Sequence, residues 1–287
     1  MTHRWGKIAM GKVVNDFVIN VATANGTGSQ SSNLVILHSM FEMGVPVSGK
    51  NLFPSNISGL PTWFIIRASE EGYQAPGDTT NIQILMNKDT WVEDLEKLDS
   101  GTIVVYNTDV RLPVEREDCT LLGMPMTKMA RKLNPKLGRL MANMYYVGAL
   151  AHLLDIDEIA IEKAVGGQFK GKEKAIELNI KAISEGKSFA KENWDFECQF
   201  NVEARDKDPE SFLIEGNEAT ALGCIYGGVN MLSWYPITPS SSLAESVIGW
   251  LPELRSDGNG GSTCAVIQAE DELAAAGMVI GAGWAGG

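Results

Sequence analysis

The period of the apolar positions changes repeatedly along this chain, and each change marks a new element. "DFVINVA" (16–22) is a short β-rich run, and "SSNLVILHSMFEMG" (31–44) repeats apolar residues at helical spacing behind two serines suited to a helix start. "TWFIIRAS" (62–69), "NIQILMN" (81–87) and "GTIVVYN" (101–107) read as further strands, and "TWVEDLEKLD" (90–99) as a helix opening on Thr90. Strands alternating with helices predict an α/β domain with a parallel or mixed sheet covered by helices.

From 137 to 192 the pattern turns helical throughout. "GRLMANMYYVGALAHLLD", "IDEIAIEKAVGGQF" and "KEKAIELNIKAISEGKSFAKEN" predict three successive helices with Asp and Gly between them. Residues 193–211 lose apolar periodicity and gain charge, so a linker is expected over 196–210. After it, "SFLIEGNEATALGCIYGG", "MLSWYPITPSSSLAESVIGWL" and "STCAVIQAEDELAAAGMVIGAGWAGG" each read as a β-turn-α unit. The expected organisation is a first domain over 1–195, with a helical C-terminal part, and the opening of a second α/β domain with a parallel sheet over 211–287. The uncapped, small-residue apolar ending "GMVIGAGWAGG" predicts that the protein continues beyond it.

Composition narrows the function. The 287 residues carry 36 acidic and 24 basic side chains, a formal net charge of −12, which argues against a nucleic-acid or anionic-membrane surface but leaves room for a local phosphate pocket. Cys119, Cys198, Cys224 and Cys264 are widely spaced, with no Cys-x-x-Cys and only His3, His38 and His152 beside them. No metal or iron–sulfur site is therefore expected from this chain's own residues, and the cysteines read as reduced. "MTHRWGKIAMGK" lacks the apolar core of a signal peptide, and no uncharged apolar run reaches the roughly 18 residues of a membrane span. A cytoplasmic protein is expected.

Three turns hold residue types that could carry chemistry. "TANGTGSQSSN" (23–33) follows the first strand and opens the first helix. Gly26 and Gly28 would let the backbone approach a ligand, and the helix-start amides favour phosphate; an ordinary tight turn explains the same residues, since neither a full Gly-x-Gly-x-x-Gly nor a P-loop is present. "YPITPSSSL" (235–243) stiffens its backbone with Pro236 and Pro239 and offers Thr238, Ser240, Ser241 and Ser242 as caps for a helix starting near Leu243. Capping needs one hydroxyl, so spare ones could face a ligand at the carboxyl end of a strand; a heavily capped helix start is the plainer alternative. In "QAEDELAAA" (268–276), Glu270, Asp271 and Glu272 suit a helix start through the macrodipole. One of them could instead be desolvated against a ligand nitrogen.

Taken together these stretches resemble the 2-oxoacid:ferredoxin oxidoreductase family, in the subunit that fuses a γ-type domain to the front of an α-type, thiamine-enzyme pyrimidine domain. "YPITPSS" (235–241) is the specific signature; "GNEATALG" (216–223), "QAEDELAAA" and the γ-domain tail "GALAHLLDID…FKGKEKAIELN" (148–179) match in the same order, so the resemblance covers nearly the whole chain. It implies oxidative decarboxylation of a 2-oxoacid on thiamine diphosphate, with electrons passing through iron–sulfur clusters to ferredoxin and the acyl group leaving on coenzyme A. It further implies that Mg²⁺, the cofactor's diphosphate and a [4Fe-4S] cluster belong to a separate β subunit, in an α2β2 heterotetramer.

Carried over residue by residue, the resemblance makes Thr238 and Glu272 catalytic, Thr238 beside the substrate carboxylate and Glu272 facing the aminopyrimidine ring, with Glu270 as the alternative acid. Tyr235, Pro236, Ile237, Thr238 and Ser240 become the substrate-binding turn. Gly26, Thr27, Gly28 and Gln30 of one γ loop, and Ser58 and Gly59 of "PSNISGLPTWFIIRAS" (54–69), are placed around coenzyme A, although Ser29, Ser31 and Leu60 stand where relatives usually have other residues. Lys170 and Lys172 are candidates for the coenzyme's phosphates. The fused domain order implies 2-oxoglutarate as substrate; a pyruvate, branched-chain or broad-specificity enzyme has the same signature, and a non-catalytic coenzyme A or nucleotide-binding module would keep the glycine loops alone.

Overall fold

The computed structural model describes residues 11–54, 58–111, 113 and 115–287; His3 and residues 55–57 of the second glycine loop lie outside them. The chain divides into two compact units, one ending at Ser211 and the other spanning Phe212–Gly287.

In chain order the first unit contains β1 (Val13–Val14), β2 (Phe17–Ala24), α1 (Ser29–Glu42), β3 (Val47–Leu52), β4 (Pro61–Ala68), β5 (Ile82–Leu85), α2 (Trp91–Glu96), β6 (Ile103–Asn107), β7 (Thr120–Met124), α3 (Met126–Leu133), α4 (Gly138–Leu153), α5 (Glu158–Gln168), α6 (Glu173–Asn193) and β8 (Phe200–Asn201). Six strands form one mixed sheet in the order β3-β4-β2-β5-β6-β7. Strands β2, β5, β6 and β7 run parallel, while β4 is antiparallel to β2 and β3. The burial patterns follow from that layout. All of β5 and six of the eight residues of β2 are buried, as expected for central strands covered on both faces. β4 alternates buried and half-buried residues, the mark of a strand with one protected face.

Helices α4 and α6 meet almost backbone to backbone. A Cβ on Gly148 would lie 2.0 Å from the carbonyl oxygen of Ile183, and one on Gly186 would lie 2.4 Å from that of Tyr145. Glycine at these positions lets the helical tail pack on itself as a tight layer. Tyr145 and Tyr146 are buried in it, their phenols donating to Glu185 and Asn33 at 2.7 and 2.8 Å.

The stretch expected as a linker is docked at its start. Cys198, Phe200 and Val202 are buried, β8 pairs in parallel with β1, and the Asn15 side chain brackets Glu203 with bonds of 2.9 and 3.0 Å to its carbonyl and amide. An apolar residue at every second position among charges is a strand signal that the surrounding polarity conceals. Residues 203–210 are exposed, as a connector requires.

The second unit contains α7 (Gly216–Tyr226), β9 (Met231–Trp234), α8 (Ser240–Leu254), β10 (Ala265–Gln268) and α9 (Glu272–Trp284). Its first expected β-turn-α unit has no strand: Phe212 is 69% exposed and residues 211–214 join no sheet. Strands β9 and β10 pair in parallel, and Ala221, Ile225, Val247, Leu251 and Cys264 form the buried centre. No helix among the described residues is long and apolar enough to cross a membrane.

Candidate functional site

In the second unit, Ser233 lies opposite Ile267 and Trp234 opposite Gln268. "YPITPSS" and the acidic triplet therefore leave the same, carboxyl end of two adjacent parallel strands, the end at which open α/β sheets bind ligands. The Ala269 amide extends the pairing to the Trp234 carbonyl at 2.6 Å.

The three acids then separate by role. Asp271 is the N-cap of α9 and accepts from the Ala274 amide at 2.8 Å, the helix-start chemistry of an Asx residue. Glu272, in the first turn, accepts a hydrogen bond from the Tyr235 phenol. Glu270 is exposed beyond the strand end. The phenol's hydrogen bond, then the backbone amide of Glu272, holds the Glu272 carboxyl below its ordinary value, and the same bond pushes Tyr235 up.

The hydroxyls of the signature turn do something other than cap. Helix α8 starts at Ser240, not near Leu243, and no side chain caps it. Ser240 and Ser241 instead donate back to the Ile237 carbonyl at 2.9 and 3.2 Å, and Ser242 to that of Pro239 at 3.2 Å. Within a first turn a serine hydroxyl reaches the carbonyl three or four residues behind it more readily than a following amide. Asn217 of α7 ties the turn down by donating to the Pro239 carbonyl at 2.8 Å and to Ser242 at 2.7 Å. The Thr238 hydroxyl, next to a cis peptide with Pro239, is exposed and bonds to no described residue. Three hydroxyls and an amide fix the turn, and a fourth hydroxyl is left over.

In the first unit the two glycine loops are knitted together. The Asn25 amide donates to the Leu60 carbonyl and the Gly59 amide to the Asn25 carbonyl, both at 2.8 Å. Gly26 and Gly28 hold φ of 78° and 79°, and a Cβ on Gly26 would come within 2.6 Å of the Ser58 hydroxyl, so the first loop needs glycine for both its conformation and its neighbour. Ser29 does not open the turn: it is buried and accepts from Thr23 at 2.9 Å. Gln30 accepts from Asn51 at 3.2 Å.

Beside these loops a cleft of about 590 Å³ opens at the carboxyl ends of β2, β5 and β6, lined by Thr27, Gly59, Asn87, Lys88, Asn107 and Arg131 among others. Asn87 and Asn107 each accept from the amide two residues on, at 3.1 and 3.3 Å, and the buried Nδ2 of Asn87 has no acceptor. Lys88 and Arg131 are exposed cations without a partner among the described residues. Sequence reasoning missed this wall. Its signal was an Asn-x-Asp ending both strands, "NKD" at 87–89 and "NTD" at 107–109. Lys170 and Lys172 do not line the cleft; Lys172 borders a separate pocket of about 300 Å³ with Gly28, Ser31 and Phe169.

Comparison with known proteins agrees with both halves. Residues 18–189 match the family model described as "Pyruvate ferredoxin/flavodoxin oxidoreductase", and residues 222–287 match "Pyruvate flavodoxin/ferredoxin oxidoreductase, thiamine diP-bdg". The 2-oxoacid:ferredoxin oxidoreductase 2 subunit alpha of Aeropyrum pernix is 24% identical over 94% of this chain and 50% of its own length. The 2-oxoglutarate synthase subunit KorA of Methanothermobacter marburgensis is 44% identical over 77 residues, 27% of this chain and 18% of its own. A 2-oxoglutarate:ferredoxin oxidoreductase from Magnetococcus marinus, solved with 2-oxoglutarate, coenzyme A and succinyl-CoA bound, superposes with a TM-score of 0.79 at 30% identity, over 95% of this chain and 46% of that one. The gamma subunit of a keto/oxoacid ferredoxin oxidoreductase from Geobacter sulfurreducens shares the fold over 61% of this chain and 99% of its own, at 18% identity and a TM-score of 0.50. The chain spans about half the length of the curated relatives it matches along its whole extent.

Proposed function

Because this chain belongs to the pyruvate ferredoxin/flavodoxin oxidoreductase family, we propose that it supplies the γ-type domain and the beginning of the thiamine-facing α-type domain of a 2-oxoacid:ferredoxin oxidoreductase subunit. In this reading the enzyme works in the cytoplasm as an α2β2 assembly. It oxidises 2-oxoglutarate to succinyl-CoA and CO₂ and passes the electrons to ferredoxin. The observation that carries it is the pairing of β9 with β10, which sets the turns bearing Thr238 and Glu272 side by side. The substrate rests on the likeness to the Magnetococcus marinus enzyme and on the short stretch shared with KorA. The Aeropyrum pernix relative, described only as a 2-oxoacid enzyme, favours a broader substrate range including pyruvate as the second reading.

The donor set fits thiamine diphosphate: an exposed hydroxyl and an ionised carboxylate stand at neighbouring strand ends, and no lysine or arginine lies in either turn. Thiamine diphosphate, when bound, supplies the electron sink for the decarboxylating 2-oxoacid. Glu272 would meet the pyrimidine ring, with Glu270 as the alternative acid. Thr238 donates to the substrate carboxylate. A neutral donor anchors that group without the tight ion pairing that would stabilise the carboxylate against its own loss. Tyr235, Pro236, Ile237 and Ser240 shape the turn around the substrate. The diphosphate, Mg²⁺ and the [4Fe-4S] cluster fall to the β partner.

In the first unit, Gly26, Thr27, Gly28, Gln30, Ser58 and Gly59 would carry coenzyme A. The knitted loops put backbone amides and left-handed glycines beside a cleft with two cations unpaired among the described residues, which fits a phosphate-bearing ligand.

The test is to assemble the full-length subunit with its β partner and assay coenzyme A-dependent reduction of ferredoxin or a viologen dye with 2-oxoglutarate, pyruvate and branched 2-oxoacids side by side. Turnover fastest with 2-oxoglutarate, and falling in Thr238→Ala, is expected. Equal turnover in the variant removes Thr238 from the site, and no turnover with any 2-oxoacid leaves a binding module.

A further inference from the structure

Tyr235 is the signature residue whose side chain hydrogen-bonds across to the neighbouring turn. It follows directly on Trp234, the last residue of β9, and its phenol donates to the carboxylate of Glu272 at the start of α9. The backbone around that carboxylate is already fixed. The Ala269 amide is bonded to the Trp234 carbonyl, and Asp271 caps the helix at Ala274. The Ser233 hydroxyl on β9 lies 3.4 Å from the sulfur of Met278, further along α9. What remains free is the direction of the Glu272 side chain, and the Tyr235 phenol sets it.

We propose that Tyr235 is a positioning residue, a clasp between the two turns that aims the Glu272 carboxylate before any ring arrives. This rests on the reading of Glu272 as the acid that serves the thiamine pyrimidine. It separates Tyr235 from the substrate-contact role that the signature implies: the phenol acts through the acid. The physical basis is that a neutral donor to a carboxylate favours its charged form and spends one of its lone pairs, so the opposite oxygen is left for a ligand. The charged groups facing the pair are few. Asp271 is adjacent and opposes ionisation of both, and the phenol and the Glu272 backbone amide outweigh it at the carboxyl.

The direction of each titration follows. Glu272 titrates below its ordinary value in the folded chain, so the bond contributes at pH above that ordinary value and is lost as pH falls through the lowered one. Tyr235 titrates above its ordinary value, so the contribution is full below ordinary phenol pH and is lost as pH rises through the raised value. The clasp is therefore closed across neutral pH.

The experiment reads the bond from both ends in the full-length subunit without cofactor. Carboxyl NMR of the ¹³C-glutamate-labelled chain follows Glu272, and ultraviolet absorbance follows the phenol. Tyr235→Phe should raise the Glu272 midpoint toward the ordinary carboxylate range, and Glu272→Gln should lower the Tyr235 midpoint toward the ordinary phenol range. Phe keeps the ring and Gln keeps the side-chain shape, so either variant can report if the other misfolds. In the assembled enzyme, Tyr235→Phe should move the acid limb of the kcat/KM profile to higher pH, where a purely structural role would lower the rate equally at every pH. Unchanged midpoints in both variants overturn the clasp. If the midpoints move and Glu272→Gln nevertheless keeps full turnover, the clasp stands and the catalytic reading of Glu272 falls.

Discussion

Asparagines 87, 107 and 143, in the cleft wall of the first unit, are at most 4% exposed and sit at the ends of buried strands or on a buried helix. In the second unit Thr238, Ser240, Glu270 and Glu272 are exposed, Tyr235 is half-buried, and helix α9 has no buried residue. One candidate site is made by the packing of the fold, through backbone carbonyls, left-handed glycines and Asx turns. The other is made by side-chain bonds between two adjacent strand ends. Substitutions near the first should thus be felt as lost stability before lost binding, and substitutions in the second as lost chemistry with little change in folding.

The sharpest way to break that contrast is at the crossing of α4 and α6. Gly148→Val drives its side chain into the Ile183 backbone. It should cost about 3 kcal/mol, the upper end of overpacking penalties, lowering the melting of the first unit by about 6 to 12 °C in a circular-dichroism scan. A neutral result would mean that the helices are not in backbone contact. Next comes the glycine turn. Gly26→Ala meets both a φ of 78° and the Ser58 hydroxyl, and should cost about 1 to 2 kcal/mol in urea unfolding, since the serine can rotate away but the backbone cannot relax. Smallest is Leu273→Ala in α9, where the side chain is 85% exposed. A change within about 0.5 kcal/mol is expected, and a larger loss would show that this helix is more deeply packed than the contrast requires.

Those differences also decide how much of the molecule is legible in its sequence. Strands β2, β5 and β6 were legible because central strands bury both faces and read as apolar runs. β3 was not, since only Val47 of its six residues is buried, and an edge strand of "VSGKNL" carries no period. The docked stretch at 198–202 was hidden because its every-second-residue pattern is three apolar positions long. Local chemistry was legible where one segment makes the feature, as in the glycine turn and the signature turn. It was misread where a hydroxyl has two backbone partners in reach: serines ahead of a helix suggest caps, and here they turn back to Ile237 and Pro239. The two Asn-x-Asp triplets alone do not reveal the cleft wall, because Asn87, Asn107, Arg131 and Asn143 meet only once the sheet, α3 and α4 have assembled.

The central proposal is that Glu272 faces the thiamine pyrimidine from a strand end beside Thr238. Deuterium exchange at the reactive carbon of thiamine diphosphate, measured in the assembled enzyme and in Glu272→Gln, reads that placement before any 2-oxoacid is added. A fall in exchange rate of about 100-fold or more, the lower end of general acid–base contributions, is predicted for the variant with its assembly intact. An unchanged exchange rate would remove Glu272 from that role.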